Sequence, residues 1–139
     1  MRKVVLDTNV LVSSIFGGKP REVVNLFRDG RLILVVSEQI VAEYLEVLAR
    51  FGEVKAEIED LLDLLLEREN VVFVNPPNLI ARIAEDPDDD MFLACALAGE
   101  ADTIISGDHH LLDLARYQGV EILDPGAFLD AWNQSKIAE

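Results

Sequence analysis

Arg2-Lys3-Val4-Val5-Leu6-Asp7-Thr8-Asn9 is a short aliphatic run that stops abruptly at an acid followed by two polar residues. Such a run reads as a buried strand, and its end at Asp7 places a carboxylate at a strand terminus. The pattern recurs. Arg31-Leu32-Ile33-Leu34-Val35-Val36, Asn70-Val71-Val72-Phe73-Val74-Asn75, Thr103-Ile104-Ile105-Ser106 and Val120-Glu121-Ile122-Leu123 supply further strands, separated by stretches of helical character. Buried strands alternating with helices call for a parallel sheet with helices on both faces and right-handed crossovers. The expected fold is therefore α/β, a single domain over residues 1–139, with a parallel five-stranded sheet in the order 3-2-1-4-5. Strands 1 and 4 become neighbours at the switch point, where such sheets bind ligands beyond their C-terminal ends.

The intervening segments carry their own stops and starts. Asn9 to Phe16 reads as a short helix halted by Gly17-Gly18, and Pro20 opens a second that Gly30 closes. Ser37 caps a third, in which Ile40, Val41, Tyr44, Leu45 and Leu48 form an apolar stripe with Glu43 at its edge. An amphipathic helix is expected from about Glu53 to Arg68, and a helical turn from Leu79 to Ala84. Then comes the acidic loop Glu85-Asp86-Pro87-Asp88-Asp89-Asp90, which opens an apolar helix ending near Gly99. A helix after Asp108 is expected to run through Arg116, and Pro125 starts a terminal helix carrying Phe128, Leu129 and Trp132.

Among 139 residues, 26 acids against 12 bases give a formal charge of -14. That balance excludes a broad non-specific grip on nucleic acid through counterion release, though not a metal-assisted nuclease. Lys19, Arg21, Arg28 and Arg31 cluster, with Lys19 and Arg21 as candidate phosphate contacts and a solvated helix face as the plain alternative. Cys95 is the only cysteine, set in an apolar run, and implies a reducing compartment. No apolar stretch approaches the roughly 18 residues that span a bilayer, and Asp7 breaks the opening run before a secretory segment forms, so a cytoplasmic protein is expected.

Asp7 and Asp108 end neighbouring strands in this arrangement, Asp89 opens a helix beside them, and Glu43 lies little more than a turn into its helix. Carboxylates brought together repel by about 3 kcal/mol per pair at roughly 5 Å and an effective dielectric near 20, so such a cluster holds a divalent cation or takes up protons. Each acid alone also reads as a turn or cap residue; it is their joint placement that points to a metal site. His109 and His110 are adjacent on a helix, about 100° apart, and do not converge as a metal pair.

Val5-Leu6-Asp7-Thr8-Asn9-Val10, Ser37 with Glu43, Asp86-Pro87-Asp88-Asp89 followed by Phe92-Leu93-Ala96, and Ile105-Ser106-Gly107-Asp108 together resemble the PIN-domain family, from about Arg2 to Trp132. The likeness is nearest to the VapC-like toxin ribonucleases of toxin–antitoxin pairs. It implies an endoribonuclease dependent on Mg²⁺ or Mn²⁺, with a catalytic quartet falling on Asp7, Glu43, Asp89 and Asp108. Asp7, Asp89 and Asp108 would be the metal ligands, and Thr8, Asn9 and Ser106 the supporting polar groups. Asp88 and Asp90 compete for the third place, which the D-x-x-F-L-x-x-A spacing gives to Asp89. His110 stands where relatives often carry a further acid. An RNA substrate, an antitoxin protein and a homodimer are the implied partners. The competing expectation is a non-catalytic protein of the same fold that binds a basic or apolar peptide. A phosphotransfer module is a weaker one, because Asn9 stands where a haloacid-dehalogenase-like loop needs a second Asp.

Overall fold

In the computed structural model of the protein, β1 (Lys3–Leu6) is buried from Val4 onward, side chains of both orientations included. A strand buried on both faces lies inside a sheet covered on both faces. The structure describes residues 2–67, 69–76 and 87–138, except for the side chains of 87–89 and 136–138. Among these residues the remaining strands are β2 (Ile33–Ser37), β3 (Val71–Val74), β4 (Thr103–Ile105), β5 (Arg116–Tyr117) and β6 (Val120–Leu123). The helices are α1 (Thr8–Ser14), α2 (Gly18–Arg28), α3 (Glu38–Leu48), α4 (Lys55–Glu67), α5 (Pro87–Ala98), α6 (His109–Leu112) and α7 (Pro125–Ala138). A single 3-10 turn, Gly52–Val54, precedes α4.

The sheet order is β3-β2-β1-β4-β6-β5, parallel throughout except for the last pair. The expected doubly wound order holds, with one correction: among the described residues the sheet has six strands rather than five. The extra strand, β5, is two residues long and turns back into β6 through Gln118 (φ 47°) and Gly119 (φ 86°). Two consecutive positive φ values make the kind of tight turn that suits a hairpin, and Gln118 is an unusual residue for the first position. The same hairpin shortens the preceding helix. α6 stops at Leu112 rather than Arg116, because Ala115 turns to φ 58° and Arg116 enters the sheet. The helical turn expected over 79–84 lies outside the described residues.

Val4, Val5, Leu6, Leu34, Val35, Val36, Ile104 and Ile105 form the middle of the core, and α5 lies across β1, β2 and β4 with Phe92, Leu93, Cys95 and Ala96 buried. The close approach of α5 to β2 depends on Gly99, where a methyl group would lie 2.4 Å from Val35 Cγ1. α5, which carries Asp89 in its first turn, is thus packed on β1, β2 and β4, and β1 and β4 lead into Asp7 and Asp108.

Candidate active site

β1 and β4 pair in parallel, with Leu6 opposite Ile105, and the ladder continues one bond further as the Asp7 amide donates to the Ile105 carbonyl at 3.0 Å. Asp7 therefore stands beside Ser106 at the C-terminal edge of the two central strands. The Ser106 hydroxyl donates to Asp7 Oδ2 at 2.5 Å and accepts from the Asp108 amide at 3.0 Å, tying the two acidic segments through one buried oxygen.

Each of these two aspartates also caps a helix. Asp7 Oδ1 accepts from the Asn9 amide at 3.1 Å at the start of α1, and Asp108 Oδ1 accepts from the His110 amide at 3.0 Å at the start of α6. The capping reading and the site reading are compatible, because a carboxylate has two oxygens and a cap uses one. Asp7 is buried and Asp108 half-buried. Burial pushes the Asp7 pKa up, the bonds from Ser106 and Asn9 pull it down, and the nearby Asp108 charge raises it further; the net direction is upward. A cation at this edge would reverse that balance.

Glu43 is half-buried on α3, and its Oε2 accepts a hydrogen bond from the buried Thr8 hydroxyl. Thr8 thus engages Glu43 rather than orienting Asp7. Next to Glu43, Tyr44 is fully buried, and its hydroxyl donates to the carbonyl of Leu6, the residue before Asp7. Burial drives the Tyr44 pKa well above its ordinary value, and the charges of Cys95, Asp7 and Glu43 push the same way. The apolar stripe of α3 identified Tyr44 as a core residue and gave no sign of this bond. Asn9 contributes its backbone amide, while its side chain is exposed.

The backbone of Asp89 lies in the first turn of α5, and its side chain is outside the described residues, as are residues 85 and 86 of the acidic loop and the side chain of Asp88. Asp90 is buried. Among the described residues no three of His, Cys, Asp and Glu are gathered at metal-holding distance, so three members of the expected quartet share one edge without forming a ligand shell by themselves. Among the described residues the donors there are all oxygen, which suits a hard cation such as Mg²⁺ or Mn²⁺, and none of the groups bonded to the buried Asp7 carboxylate is a basic side chain. By its donor chemistry the edge fits a divalent ion.

The candidate phosphate contacts separate. Arg21 Nε donates to the Ser14 carbonyl at 3.0 Å and a terminal nitrogen donates to the Ile15 carbonyl, so its guanidinium closes the end of α1. Lys19 is exposed at the start of α2, where a methyl group on Gly126 would meet Lys19 Nζ at 3.1 Å and Asp124 Oδ1 at 3.4 Å. Asp124 follows β6 at the same sheet edge as Asp7 and Asp108. His109 and His110 are exposed.

A parallel α/β sheet with acids gathered at its switch point defines a class of proteins that place chemistry at that crevice. A family model described as a PIN domain matches residues 3–110, most of the chain, and the protein belongs to the PIN-domain family. PIN domains are typically nucleases, bind RNA and generally use divalent metal ions, which places the chain coarsely among the hydrolases. No curated protein was found to match it. Among the described residues no helix is long and apolar enough to cross a membrane.

Proposed function

We propose that the chain is a single PIN-type endoribonuclease domain, dependent on Mg²⁺ or Mn²⁺, and the toxin component of a VapC-like toxin–antitoxin pair acting in the cytoplasm. The observation that carries the nuclease reading is the Asp7–Ser106–Asp108 linkage at the switch point of the sheet, within the matched family region.

In this reading Asp7, Asp89 and Asp108 would hold the ion, which when bound would supply neutralisation of charge on the phosphorus oxygens and a more acidic water. Ser106 keeps Asp7 and Asp108 in register. Glu43, fixed by Thr8, orients the water that attacks the phosphodiester in line. Lys19, at the β6 end of the edge, takes a neighbouring phosphate. A homodimer draws support from apolar groups left exposed on α3 and α4, Leu45 and Leu66, and an antitoxin would cover the acidic edge.

The test is calorimetric titration of Mn²⁺ into wild type and Asp7→Asn, with RNA cleavage assayed on the same samples. Loss of both in the folded variant supports the reading. The second reading is a non-catalytic PIN-fold protein that binds a basic or apolar peptide, favoured by Phe16, which is 60% exposed and meets Phe51 edge-on at 5.8 Å. It takes the lead if neither protein binds Mn²⁺ or cuts RNA while a partner still binds both equally.

A further inference from the structure

Glu43 lies more than a turn into α3, and its usefulness depends on how firmly α3 is set against β1. Two contacts set it. The ladder between β1 and β2 is in register at Lys3 with Ile33 and Val4 with Leu34, whereas β1 stays paired with β4 through Leu6 opposite Ile105. Successive residues of a strand direct their backbone groups to opposite neighbours. The Asp7 amide bonds to β4, so the Leu6 carbonyl faces the β2 side, beyond the register that joins β1 to β2. There the Tyr44 hydroxyl donates to it, from a side chain with 0% exposure.

One residue earlier on α3, Glu43 accepts from Thr8, the residue just past Asp7. Two adjacent residues of α3 are thus bonded to the two residues that flank Asp7. A buried carbonyl deprived of its donor is costly, so the helix resists sliding or turning about its axis.

We propose that Tyr44 and Thr8 form a two-point clamp that fixes the Glu43 carboxylate relative to Asp7, making both of them positioning residues for the acidic site. The proposal rests on the nuclease reading. In it, Tyr44 touches neither ion nor RNA, and acts by holding the helix that carries Glu43.

The experiment compares Tyr44→Phe, Glu43→Gln and the double variant by Mn²⁺ calorimetry and by single-turnover RNA cleavage. Tyr44→Phe is expected to lower the single-turnover cleavage rate by roughly ten-fold, with Mn²⁺ affinity and RNA affinity unchanged, because Glu43 orients the water and does not hold the ion. In the Glu43→Gln background the same change should add almost nothing, because the group being positioned is already lost. A lowered melting temperature with an unaltered cleavage rate, or losses that multiply in the double variant, overturns the clamp and leaves Tyr44 as packing.

Should Tyr44→Phe fold poorly, Thr8→Val and Thr8→Ser carry the test. Valine should reproduce the defect and serine, which keeps the hydroxyl, should rescue it; equal behaviour of the two overturns the proposal. A wild-type protein that neither binds Mn²⁺ nor cuts RNA removes the nuclease reading and the clamp together. A competent wild type with indifferent variants removes the clamp alone.

Discussion

The two ends of the sheet treat their acids differently. At the N-terminal edge Asp102 is surrounded by donors: Arg2 Nε at 3.3 Å, the Lys3 amide at 3.0 Å and the Thr103 hydroxyl at 2.8 Å. The Arg2 guanidinium also donates to Thr103 at 2.7 Å and lies 4.9 Å from the Phe128 ring, which stacks on Trp132, itself faced by Arg31. At the C-terminal edge Asp7 is more deeply buried, yet it has a hydroxyl and an amide for partners and another acid nearby. Among the described residues, one edge pairs its carboxylate with a guanidinium and the other gives its carboxylate no basic partner. An acid held buried among so few described donors is a candidate for function, and on the nuclease reading the contrast separates the end of the sheet that stabilises from the end that acts.

Replacing Asp7 should have the largest effect and should split stability from activity. Asp7→Asn is expected to lower metal-dependent RNA cleavage by about 100-fold or more. With chelator present, its melting temperature at neutral pH should exceed that of wild type. The folded pKa of Asp7 lies above its unfolded value, so the protein gains from a protonated Asp7 at low pH and loses that gain as pH rises through the folded pKa. The advantage of the variant should therefore shrink as pH falls toward about 4, the unfolded carboxylate range. Thermal melts of both proteins across that range check it. A variant less stable than wild type at neutral pH would break the comparison between the edges.

Ser106→Ala comes next. It removes the donor to Asp7 Oδ2 and the acceptor for the Asp108 amide in one step. Cleavage should drop about 10- to 100-fold, in line with other groups that orient metal ligands, and Ser106→Thr should recover part of it. If Ser106→Ala cuts RNA at the wild-type rate, the two acids do not work through this bridge.

How far these features could be read in advance depends on what a residue pattern encodes. Strand order and the neighbouring positions of Asp7 and Asp108 were legible because short aliphatic runs alternating with helices admit few topologies, and each strand end is marked by a polar residue. The β5–β6 hairpin was not, because its turn rests on Gln118 in a conformation that glutamine seldom takes. Charge clustering put Lys19 and Arg21 together, but a count of charges says nothing of partners, and Arg21 is taken up by the carbonyls at the end of α1. The spacing of Tyr44 in its stripe reports burial, whereas its bond to Leu6 depends on where β1 and β2 cease to pair.

At the opposite edge, Arg2→Met should lower stability by about 1–2 kcal/mol, the sum of a ring contact and a hydrogen bond to Thr103, with its half-exposed ion pair to Asp102 adding little. Cleavage at a temperature where both proteins remain folded should be unchanged. Denaturant unfolding and a cleavage assay on one preparation read both quantities. A rate loss larger than the change in folded fraction would mean that the two edges are coupled through β1.

The smallest effect tests how far the active edge extends. Lys19 sits beside Gly126 and Asp124 at the end of β6, two strands from Asp7, whereas Arg21 is bonded within the fold. If an RNA strand crosses this edge, Lys19→Ala should weaken binding a few-fold and reduce the slope of log affinity against log salt by about 0.7, the value for one phosphate contact on a single strand. Arg21→Ala should reduce stability and leave that slope alone. Fluorescence anisotropy with RNA at several salt concentrations, in an Asp7→Asn background that does not cleave, distinguishes the two. An unchanged slope for Lys19→Ala would confine the substrate path to the ends of β1 and β4, while a changed slope for Arg21→Ala would show that closing α1 is not all this guanidinium does.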